Sequence, residues 1–570
     1  MAIAVNPRDH LPLLLRSLCD RGPAVQPENL VVTKTGEGYA KLTFREHQAR
    51  SVRLASALSR WGLKVEDRVG TLMWNTAWHL QCYHALSCMG AVLHTLNLRL
   101  SPKELGVIIG HAADRVIIAD ADLLGLVAKV DRPILERVEL LVCVGADGVS
   151  GQWALPDAFP IASAVDFEAF LGTGDDKFAW PDLPETGIHA LCYTSGTTGL
   201  PKGAAYSQRS TYLHTLSGIA PDQLGISGSM TVCPFVPMFH VLSWGVPFMG
   251  LMLGTRMVFT GRFMDPESLL NLMLDWQVEL STGVPTVWQG VRGAIEKMGL
   301  DAVRQKHRLR LLTCGGSAPP PEMMRWYGEN LNVEFLQGWG MTETNPLGSV
   351  GRRVAKYEDL SKSPEALFGN ITKAGLPLPG VEVRIASADD LSADVRPGEP
   401  GELLVRGPWI IAEYFQFDAP EKFHKGWLIT GDVASIDEAG AIIISDRSKD
   451  VIKSGGEWIS SIDLENHITA MSDIVMAAVV AVPHPRWDER PVAIVTLAPG
   501  SGLATMGNLV ELVGKHCSTA FAKFQLPDDV LAWDALPLTS TGKIDKKTIR
   551  KKLSDEGYVL PSLRQPASKL

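Results

Sequence analysis

The sequence predicts an α/β protein built on largely parallel sheets, with a small β-rich unit after them. In the first half, amphipathic helical stretches such as 47–61 alternate with short Val/Ile/Leu runs such as 115–119 and 138–144. This alternation is typical of βαβ units. Between 375 and 445, short apolar runs are separated by Pro and Gly turns. That texture favours a small antiparallel or barrel-like subdomain.

A domain boundary is expected at 446–450, where a basic tract follows the β-rich region. We therefore assign residues 1–445 to an N-terminal domain and 451–570 to a smaller C-terminal domain. Strand-like runs at 475–482 and 492–497 belong to the second of these. No internal repeat interrupts this division.

Length and charge exclude several classes of protein. The 570 residues are too many for one small binding module, and 46% hydrophobic with 21% charged residues is ordinary globular usage. The net charge of −9 offers no general attraction to a phosphate backbone, so nucleic acid is not an expected partner.

Targeting and redox signals point to an intracellular chain. The eight cysteines form no Cys-x-x-Cys pair and no zinc-ligand spacing, so we expect reduced thiols. The Leu-rich stretch at 11–15 is too short for a signal peptide. Segment 223–255 carries no charged residue but is interrupted by prolines, which favours a buried pocket wall over a transmembrane helix.

The most informative string is Tyr193-Thr-Ser-Gly-Thr-Thr-Gly-Leu-Pro-Lys-Gly203, directly after the apolar run 190–192. A strand that ends in such a loop presents backbone N–H groups and hydroxyls to one anion, and Lys202 adds a positive charge. The spacing differs from GxxxxGK[ST], so a P-loop fold does not follow. The loop predicts a phosphate cradle formed by Thr194, Ser195, Gly196, Thr197, Thr198, Gly199 and Lys202.

Three other strings carry ligand-binding chemistry. Glycines around an aromatic residue in Gln337-Gly-Trp-Gly-Met-Thr-Glu343 suit a flat ring, and the Glu343 carboxylate is a hard ligand of the kind Mg²⁺ accepts. Cys314-Gly-Gly-Ser-Ala-Pro319 follows a strand-like run. In Thr430-Gly-Asp432 the carboxylate can bind both hydroxyls of a ribose, although an Asp at this spacing is also a common turn former.

Two lysine-containing strings complete the pattern, one from Asp446 to Glu457 and the other from Pro537 to Lys543. All five strings, in this order and from about 42 to 552, resemble the acyl-adenylate-forming superfamily of acyl-CoA synthetases, luciferases and peptide-synthetase adenylation domains. Lys453-Ser-Gly-Gly-Glu-Trp-Ile-Ser460 resembles its fatty acyl-CoA ligase branch, which includes medium-chain acyl-CoA synthetases and methylmercaptopropionate-CoA ligases.

The resemblance implies a fold and a reaction. The fold is a large N-terminal domain of two αβαβα-type subdomains with a small β-barrel-like subdomain, followed by a small, mobile α+β C-terminal domain. The reaction uses Mg-ATP to convert a carboxylate to acyl-AMP and pyrophosphate, and coenzyme A then displaces AMP. Because Lys543 must be inside the pocket for the first step and coenzyme A must enter for the second, a hinge at 446–450 is expected.

The resemblance also implies roles for individual residues. Lys543 would be the adenylation lysine, Lys449 the hinge residue and Glu343 the Mg²⁺ ligand. Asp432 and Arg447 would bind the ribose, and His240 would close the acyl pocket or guide the thiol. The adenine would be lined by Gly316, Ser317, Ala318, Gly338, Trp339 and Gly340. The remaining nucleotide and coenzyme A residues would be Met341, Thr342, Lys453, Gly455, Gly456, Glu457 and Trp458.

The acid is expected to have an uncharged, short- or medium-chain tail, with or without a thioether. Its candidate lining is mostly apolar, and Trp244 would shorten the tunnel. The alternatives are an adenylation protein that loads a carrier protein and a nucleotide-binding scaffold without ligase turnover. His484-Pro-Arg-Trp-Asp488 has no partner string for an acyltransferase, and His-Glu-x-x-His and Gly-x-Ser-x-Gly are absent. A homodimer is left open.

The terminal Ser568-Lys569-Leu570 matches a receptor-read peroxisomal address. We therefore expect the import receptor as a partner in a eukaryotic cell, and a cytoplasmic enzyme in a bacterium. A fluorescent protein that carries the last dozen residues should collect in peroxisomes of a eukaryotic cell. A diffuse signal that does not change on deletion of the tripeptide would contradict the address.

Overall fold

The structure is a computed structural model that describes residues 11–149, 151–156, 159–194, 201–353, 355, 363–455, 457–498, 500–501, 503, 508–539 and 542–563. The strands in these residues are β1 (Leu30–Lys34), β2 (Tyr39–Thr43), β3 (Arg68–Leu72), β4 (Val92–Thr95), β5 (Val116–Asp120), β6 (Leu140–Val144), β7 (Ala164–Asp166), β8 (Ile188–Thr194), β9 (Lys202–Ser207), β10 (Thr231–Pro234), β11 (Arg256–Phe259), β12 (Leu280–Gly283), β13 (Leu311–Cys314), β14 (Glu334–Gly340), β15 (Leu347–Val350), β16 (Leu376–Pro377), β17 (Glu382–Ala386), β18 (Gly401–Arg406), β19 (Phe423–His424), β20 (Trp427–Ile436), β21 (Ile442–Arg447), β22 (Ile452–Ser454), β23 (Glu457–Ile459), β24 (Ile474–His484), β25 (Asp488–Leu497) and β26 (Asp529–Ala532).

The helices of the same residues are α1 (Leu15–Cys19), α2 (Arg21–Val25), α3 (Phe44–Trp61), α4 (Ala77–Met89), α5 (Pro102–Ala112), α6 (Leu124–Val127), α7 (Arg132–Leu135), α8 (Phe167–Leu171), α9 (Gln208–Gly218), α10 (Val246–Leu253), α11 (Pro266–Asp275), α12 (Pro285–Met298), α13 (Leu300–Lys306), α14 (Pro321–Leu331), α15 (Pro364–Ile371), α16 (Ser461–Ile468), α17 (Leu509–Cys517) and α18 (Lys546–Asp555).

Two large, mainly parallel sheets form the N-terminal domain and confirm the predicted α/β class. One has the strand order β7-β6-β5-β3-β4-β8-β9, with β9 antiparallel to β8. The other has the order β16-β15-β14-β13-β12-β10-β11-β1-β2. Residues of helices α3, α4 and α10 share one core with strand residues of both sheets, such as Val69 and Met257. This shared helical layer is what an αβαβα arrangement requires.

The N-terminal hairpin joins the second sheet, which local sequence patterns do not indicate. Strand β1 pairs in parallel with β11, so Val31 lies opposite Met257. The first two strands therefore belong to the nine-stranded sheet, the next seven form the seven-stranded sheet, and the strands from β10 to β16 belong to the nine-stranded sheet again. Periodicity reports only which face of a strand is apolar, and it carries no information on a partner more than 200 residues away.

The small sheet is antiparallel, in agreement with the texture of 375–445. Its order is β17-β18-β20-β19, with β21 paired to β20. Its ends differ slightly from the expected range, because β16 belongs to the nine-stranded sheet and β21 continues through Arg447. Asp446 and Arg447, the first two residues of the expected hinge, are therefore strand residues.

The C-terminal domain is a five-stranded sheet covered by helices. Its order is β23-β22-β25-β24, with β26 parallel to β25. Helices α16 and α18 pack against β24. The nearly buried Arg490 side chain pairs with Asp528 and donates to the hydroxyl of Ser454, so it ties β25 to the β22 hairpin.

Local rules explain most helix ends, and α3 is an example. Thr43 and Glu46 form a capping box, and Gly62 ends the helix in the left-handed region at φ 110°. A residue without Cβ adopts that conformation at little cost. The helix is thus fixed at both ends by residues that the sequence displays directly.

The uncharged segment 223–255 is folded into the interior, as expected. It supplies β10 and α10, and both are almost entirely buried. None of the helices in the described part of the chain is long and apolar enough to cross a membrane.

Candidate active site

The two ends of the expected phosphate loop lie side by side. Thr194 at the end of β8 pairs with Lys202 at the start of β9. Lys202 is 8% exposed, and its Nζ lies 3.2 Å from Glu421 Oε1 and 4.9–5.2 Å from the ring centroids of Phe417 and Tyr414. The lysine is thereby held at the mouth of the loop. The residues of the loop that lie outside the described residues are Ser195, Gly196, Thr197, Thr198 and Gly199.

Glu343 lies just after β14 and is 7% exposed. The Tyr414 hydroxyl donates to its Oε1 at 2.6 Å, and the Ile411 N–H donates to its backbone carbonyl. The Tyr206 hydroxyl donates to the carbonyl of Thr342 at 2.6 Å and fixes the same turn. A single oriented carboxylate close to a phosphate loop fits Mg²⁺, which binds one or two carboxylates and takes its other ligands from phosphates and water.

Asp432 forms an ion pair with one side chain and accepts a hydrogen bond from another, and the sequence analysis placed both in the nucleotide site. Arg447 Nε lies 2.8 Å from its Oδ1, and the indole Nε1 of Trp339 donates to its Oδ2 at 2.9 Å. Asp432 and Arg447 are register partners on β20 and β21, so the pairing follows from the sheet. Each carboxylate oxygen has two acceptor positions, so a ribose hydroxyl can still bind.

Trp339 itself is buried in the core between β14 and the small sheet, together with Ala374 and Leu403. Its described polar contact is to Asp432 rather than to an open cleft. The structure therefore gives this tryptophan the geometry of a residue that orients a carboxylate, whereas the sequence analysis placed it against the adenine.

Glycines form one wall of the cleft where backbone and ring must approach closely. A Cβ at Gly315 would lie 2.8 Å from Cη2 of Trp244, and a Cβ at Gly340 would lie 1.8 Å from the carbonyl oxygen of Pro346. Gly316 has φ +85° and Gly338 is buried. Beside this wall lie the partly or fully exposed residues Ser317, Ala318 and Met341.

Lys543 reaches this wall from the C-terminal domain. A Cβ at Gly316 would lie 3.0 Å from Lys543 Cε and 3.7 Å from Nζ. Thr539 closes the turn that presents the lysine, because its hydroxyl accepts from the Lys543 N–H at 3.2 Å. The Thr286 hydroxyl lies 3.5 Å from the carbonyl oxygen of Gly542 and contacts the same turn from α12.

Burial and the neighbouring charges lower the pKa of the Lys543 ammonium. Burial in the cleft lowers the pKa of Lys543 to about 8, and the positive charge of Arg447 acts in the same direction. The carboxylates of Asp432 and Glu343 oppose both effects. The lysine thus lies within electrostatic reach of the three expected nucleotide residues, and an anion bound between them would stabilise its charged form.

His240 lies within electrostatic reach of Lys543. Burial, followed by the charges of Lys543 and Arg99, lowers the pKa of His240 to about 3. Its imidazole is therefore neutral at physiological pH. The next four residues, from Val241 to Trp244, all have φ between 47° and 56°, a left-handed turn that directs the Trp244 ring onto Gly315.

The expected hinge connects two hydrogen-bonded strand ends. Glu402 on β18 accepts from the Gly431 N–H at 2.6 Å and from the Ser448 hydroxyl at 2.7 Å. Asp446 accepts from the Ser461 N–H at 2.7 Å on the C-terminal side. Lys449 lies on the exposed turn between them.

The residues expected for coenzyme A occupy the β22–β23 hairpin of the C-terminal sheet. The Lys453 N–H donates to Glu489, and the Gly455 N–H donates to the Trp487 carbonyl. Glu457 is exposed. Gly456 and the side chain of Trp458 lie outside the described residues. The described contacts of this hairpin are with its own domain, so it is not brought to Lys543 in this arrangement.

Two residues of the site were missed by the sequence analysis. Tyr414 joins Lys202 to Glu343, and Glu402 joins the Asp432 turn to the hinge. Burial raises the pKa of both groups. A carboxylate directly before the apolar run 403–405 was the available signal for Glu402, whereas Tyr414 had none.

Known proteins place this fold and site in a family. The model of the AMP-binding enzyme family matches residues 19–415, and that of the AMP-binding enzyme C-terminal domain matches residues 463–543. The fold superposes on an anthranilate CoA ligase bound to anthranoyl-AMP with a TM-score of 0.82 at 22% identity, covering 97% of this chain and all of that one.

Two bacterial relatives are similar along their full length. A 3-methylmercaptopropionyl-CoA ligase of Ruegeria lacuscaerulensis is 40% identical over 95% of this chain and 98% of its own. A medium-chain-fatty-acid–CoA ligase of Ectopseudomonas oleovorans is 38% identical over 92% of this chain and 93% of its own.

This chain belongs to the AMP-binding enzyme family. Within the family it is an ATP-dependent, AMP-forming acyl-CoA ligase, as the sequence motifs predicted. The peroxisomal address stays a prediction, because Ser568, Lys569 and Leu570 lie outside the described residues and the two relatives above are bacterial.

Proposed function

We propose that this ligase activates a short- or medium-chain carboxylic acid, including one with a thioether in its tail, as acyl-AMP and transfers the acyl group to coenzyme A. The observation that carries the proposal is the position of Lys543. A lysine of the C-terminal domain lies against Gly316 and within electrostatic reach of Asp432 and Glu343. An acid and an α-phosphate would bring negative charge to this point.

In the first half-reaction, Lys543 would hold the carboxylate and the α-phosphate together as the oxygen attacks phosphorus. Its ammonium, fixed in place beforehand, stabilises the charge that develops there. Asp432 and Arg447 would hold the ribose, while residues 194–202 would hold the outer phosphates. Mg²⁺ at Glu343 would neutralise phosphate charge and orient the pyrophosphate that leaves.

In the second half-reaction, the same cleft would accept the thiol of coenzyme A. The C-terminal domain would rotate at Lys449, withdraw Lys543 and bring the β22–β23 hairpin to the cleft. Two observations support this division. The hairpin makes its described contacts away from Lys543, and Lys449 lies on an exposed turn between strand ends that are held by hydrogen bonds.

The preference for an uncharged acyl tail rests on the walls of the cleft. Trp244 lies on Gly315, and the low pKa of His240 leaves that imidazole neutral. Neither side chain would stabilise a charge at the end of the acid. The further candidate lining residues are Val284, Pro285, Thr286, Cys314 and Met341. Relatives named for methylmercaptopropionate and for medium-chain fatty acids agree with such a tail.

A pyrophosphate-release assay with saturated acids from two to sixteen carbons and 3-methylmercaptopropionate tests the proposal. We expect acyl-CoA formation with the best rates for short or medium acids, because the Trp244 ring limits depth. Reactions without coenzyme A serve as the control. Pyrophosphate release without a CoA thioether for any acid would instead support a carrier-loading protein, and no release at all would support a scaffold.

Lys543→Ala should lower the rate of adenylation by ~10²–10³, the loss typical when one preorganised charge is removed from a transition state. Conversion of supplied acyl-AMP to acyl-CoA should change little. The two rates are measured separately by single-turnover assays. Lys547→Ala, on the exposed face of α18, is the matched control and should behave as wild type in both.

Lys449→Pro should have the opposite effect, slowing thioester formation while adenylation continues. Proline fixes φ near −65° at a position where the backbone must rotate. Lys449→Ala is the control for loss of the charge alone. If Lys449→Pro and Lys543→Ala slow the same half-reaction to the same extent, domain rotation does not separate the two steps.

A further inference from the structure

A buried group of metal-ligand side chains lies outside the catalytic cleft, between the first helix of the chain and α4. Cys19 ends α1, while His84 and Cys88 belong to α4. One ligand atom of each, either a sulfur or an imidazole nitrogen, lies within 4.8 Å of the others. All three residues are buried, with exposures of 0–2%.

The fold brings these residues together in a simple way. His84 and Cys88 are separated by four positions and therefore share one face of α4. Helix α1 packs against α4 and supplies Cys19 at its C-terminal end. Since 65 residues separate the first two ligands, the group has none of the close spacings by which zinc sites are recognised in a sequence.

The imidazole of His84 has unused hydrogen-bonding capacity. Both of its ring nitrogens are buried without a hydrogen-bond partner among the described residues. Nε2 lies 3.4 Å from Asp20 Oδ1, but outside hydrogen-bond geometry. Buried polar atoms nearly always have partners, so a ring that lacks them at both nitrogens indicates a missing ligand.

Asp20 is held in place beside this imidazole. Gln48 Nε2 donates to its Oδ1 at 2.9 Å, and Arg16 Nε donates to its Oδ2 at 3.3 Å. The Asp20 carboxylate faces the imidazole but is not among the ligand atoms that all lie within 4.8 Å of one another. The three side chains of that group offer two sulfurs and one nitrogen, a donor set that suits a thiophilic cation rather than Mg²⁺.

We propose that Cys19, His84 and Cys88 form a structural site for a divalent cation of the zinc class. Binding releases the two thiol protons to solvent, and the cation joins two thiolates and one neutral imidazole, while its fourth position is left to an oxygen of water or, after a shift of its side chain, of Asp20. The site links the N-terminal helix to α4, which lies in the core shared by the two large sheets. It is separate from the Mg²⁺ used with ATP.

The test uses full-length protein without an affinity tag, stripped with a chelator under reducing conditions and then titrated with Co²⁺ in excess Mg²⁺. We expect one equivalent to bind, with thiolate-to-cobalt charge-transfer absorption and the intense visible bands of tetrahedral cobalt. Zn²⁺ should displace the cobalt and raise the midpoint of thermal unfolding. Elemental analysis of the protein as purified should find about one zinc per chain.

Variants locate the site. Cys88→Ser and Cys19→Ser should each abolish the charge-transfer band and the rise in unfolding temperature. Cys82→Ser is the matched control, because Cys82 is a buried thiol on the same helix with Met73 as its neighbour. It should bind cobalt like wild type. The charge-transfer band and the unfolding temperature are measured for every variant, so that loss of cobalt binding can be distinguished from poor folding.

Two results would overturn the proposal. The first is a wild-type protein that binds no cobalt through sulfur, or that binds it equally in Cys19→Ser and Cys88→Ser. The second is an intact mass two hydrogens lower, with Cys19 and Cys88 joined in one peptide pair, which would identify a disulfide in place of the metal.

Discussion

The proposed adenylating arrangement depends on electrostatic coupling between a lysine of one domain and charged groups of the other. Lys543 is presented by a turn of the C-terminal domain, and the groups that determine its charge belong to the other domain. Burial and Arg447 disfavour the ammonium, whereas Asp432 and Glu343 favour it. The effects that lower the pKa of Lys543 prevail and leave it at about 8, so an incoming phosphate and carboxylate would stabilise the ammonium. The docked position is therefore one that bound anions can stabilise and their departure can release.

The small antiparallel sheet connects that contact to the hinge. Asp432 and Arg447 face each other on β20 and β21, and β21 leads directly into the turn that carries Lys449. Glu402 bonds to both the Asp432 turn and Ser448. The residues proposed for ribose binding and for domain rotation thus share one strand pair. We therefore expect a change in the Asp432–Arg447 pairing to alter the proposed hinge directly, because no other element lies between them.

The cleft wall stores backbone strain at the same place. Four consecutive residues from Val241 to Trp244 adopt the left-handed region, which costs roughly 1–2 kcal/mol for each residue with a Cβ. Packing of Trp244 on Gly315 and the hydrogen bond from the Ser243 hydroxyl to the Val236 carbonyl offset that cost. Backbone strain of this kind is typical of functional sites, and this turn carries the tryptophan proposed to line the acyl pocket.

The sequence by itself was sufficient to predict the fold class, the family and the main candidate residues of the site. The alternation of helical and strand patterns gave the parallel sheets, and the five motifs led to the correct family, because each motif must keep its residue types to bind nucleotide. Lys543, Asp432 and Glu343 were assigned their expected roles one by one in this way, each within a turn whose local chemistry is visible in its neighbours.

Only the tertiary structure determined which residues distant in the sequence lie next to one another. Strand pairing brings Val31 to Met257 and Asp432 to Arg447, and it turns Trp339 from an expected adenine wall into a donor to Asp432. Helix packing also places Cys19 beside His84 and Cys88, although their spacing in the sequence does not indicate a metal site. Local patterns record the face a residue presents, but the partner of that face is fixed by packing between elements far apart in the chain.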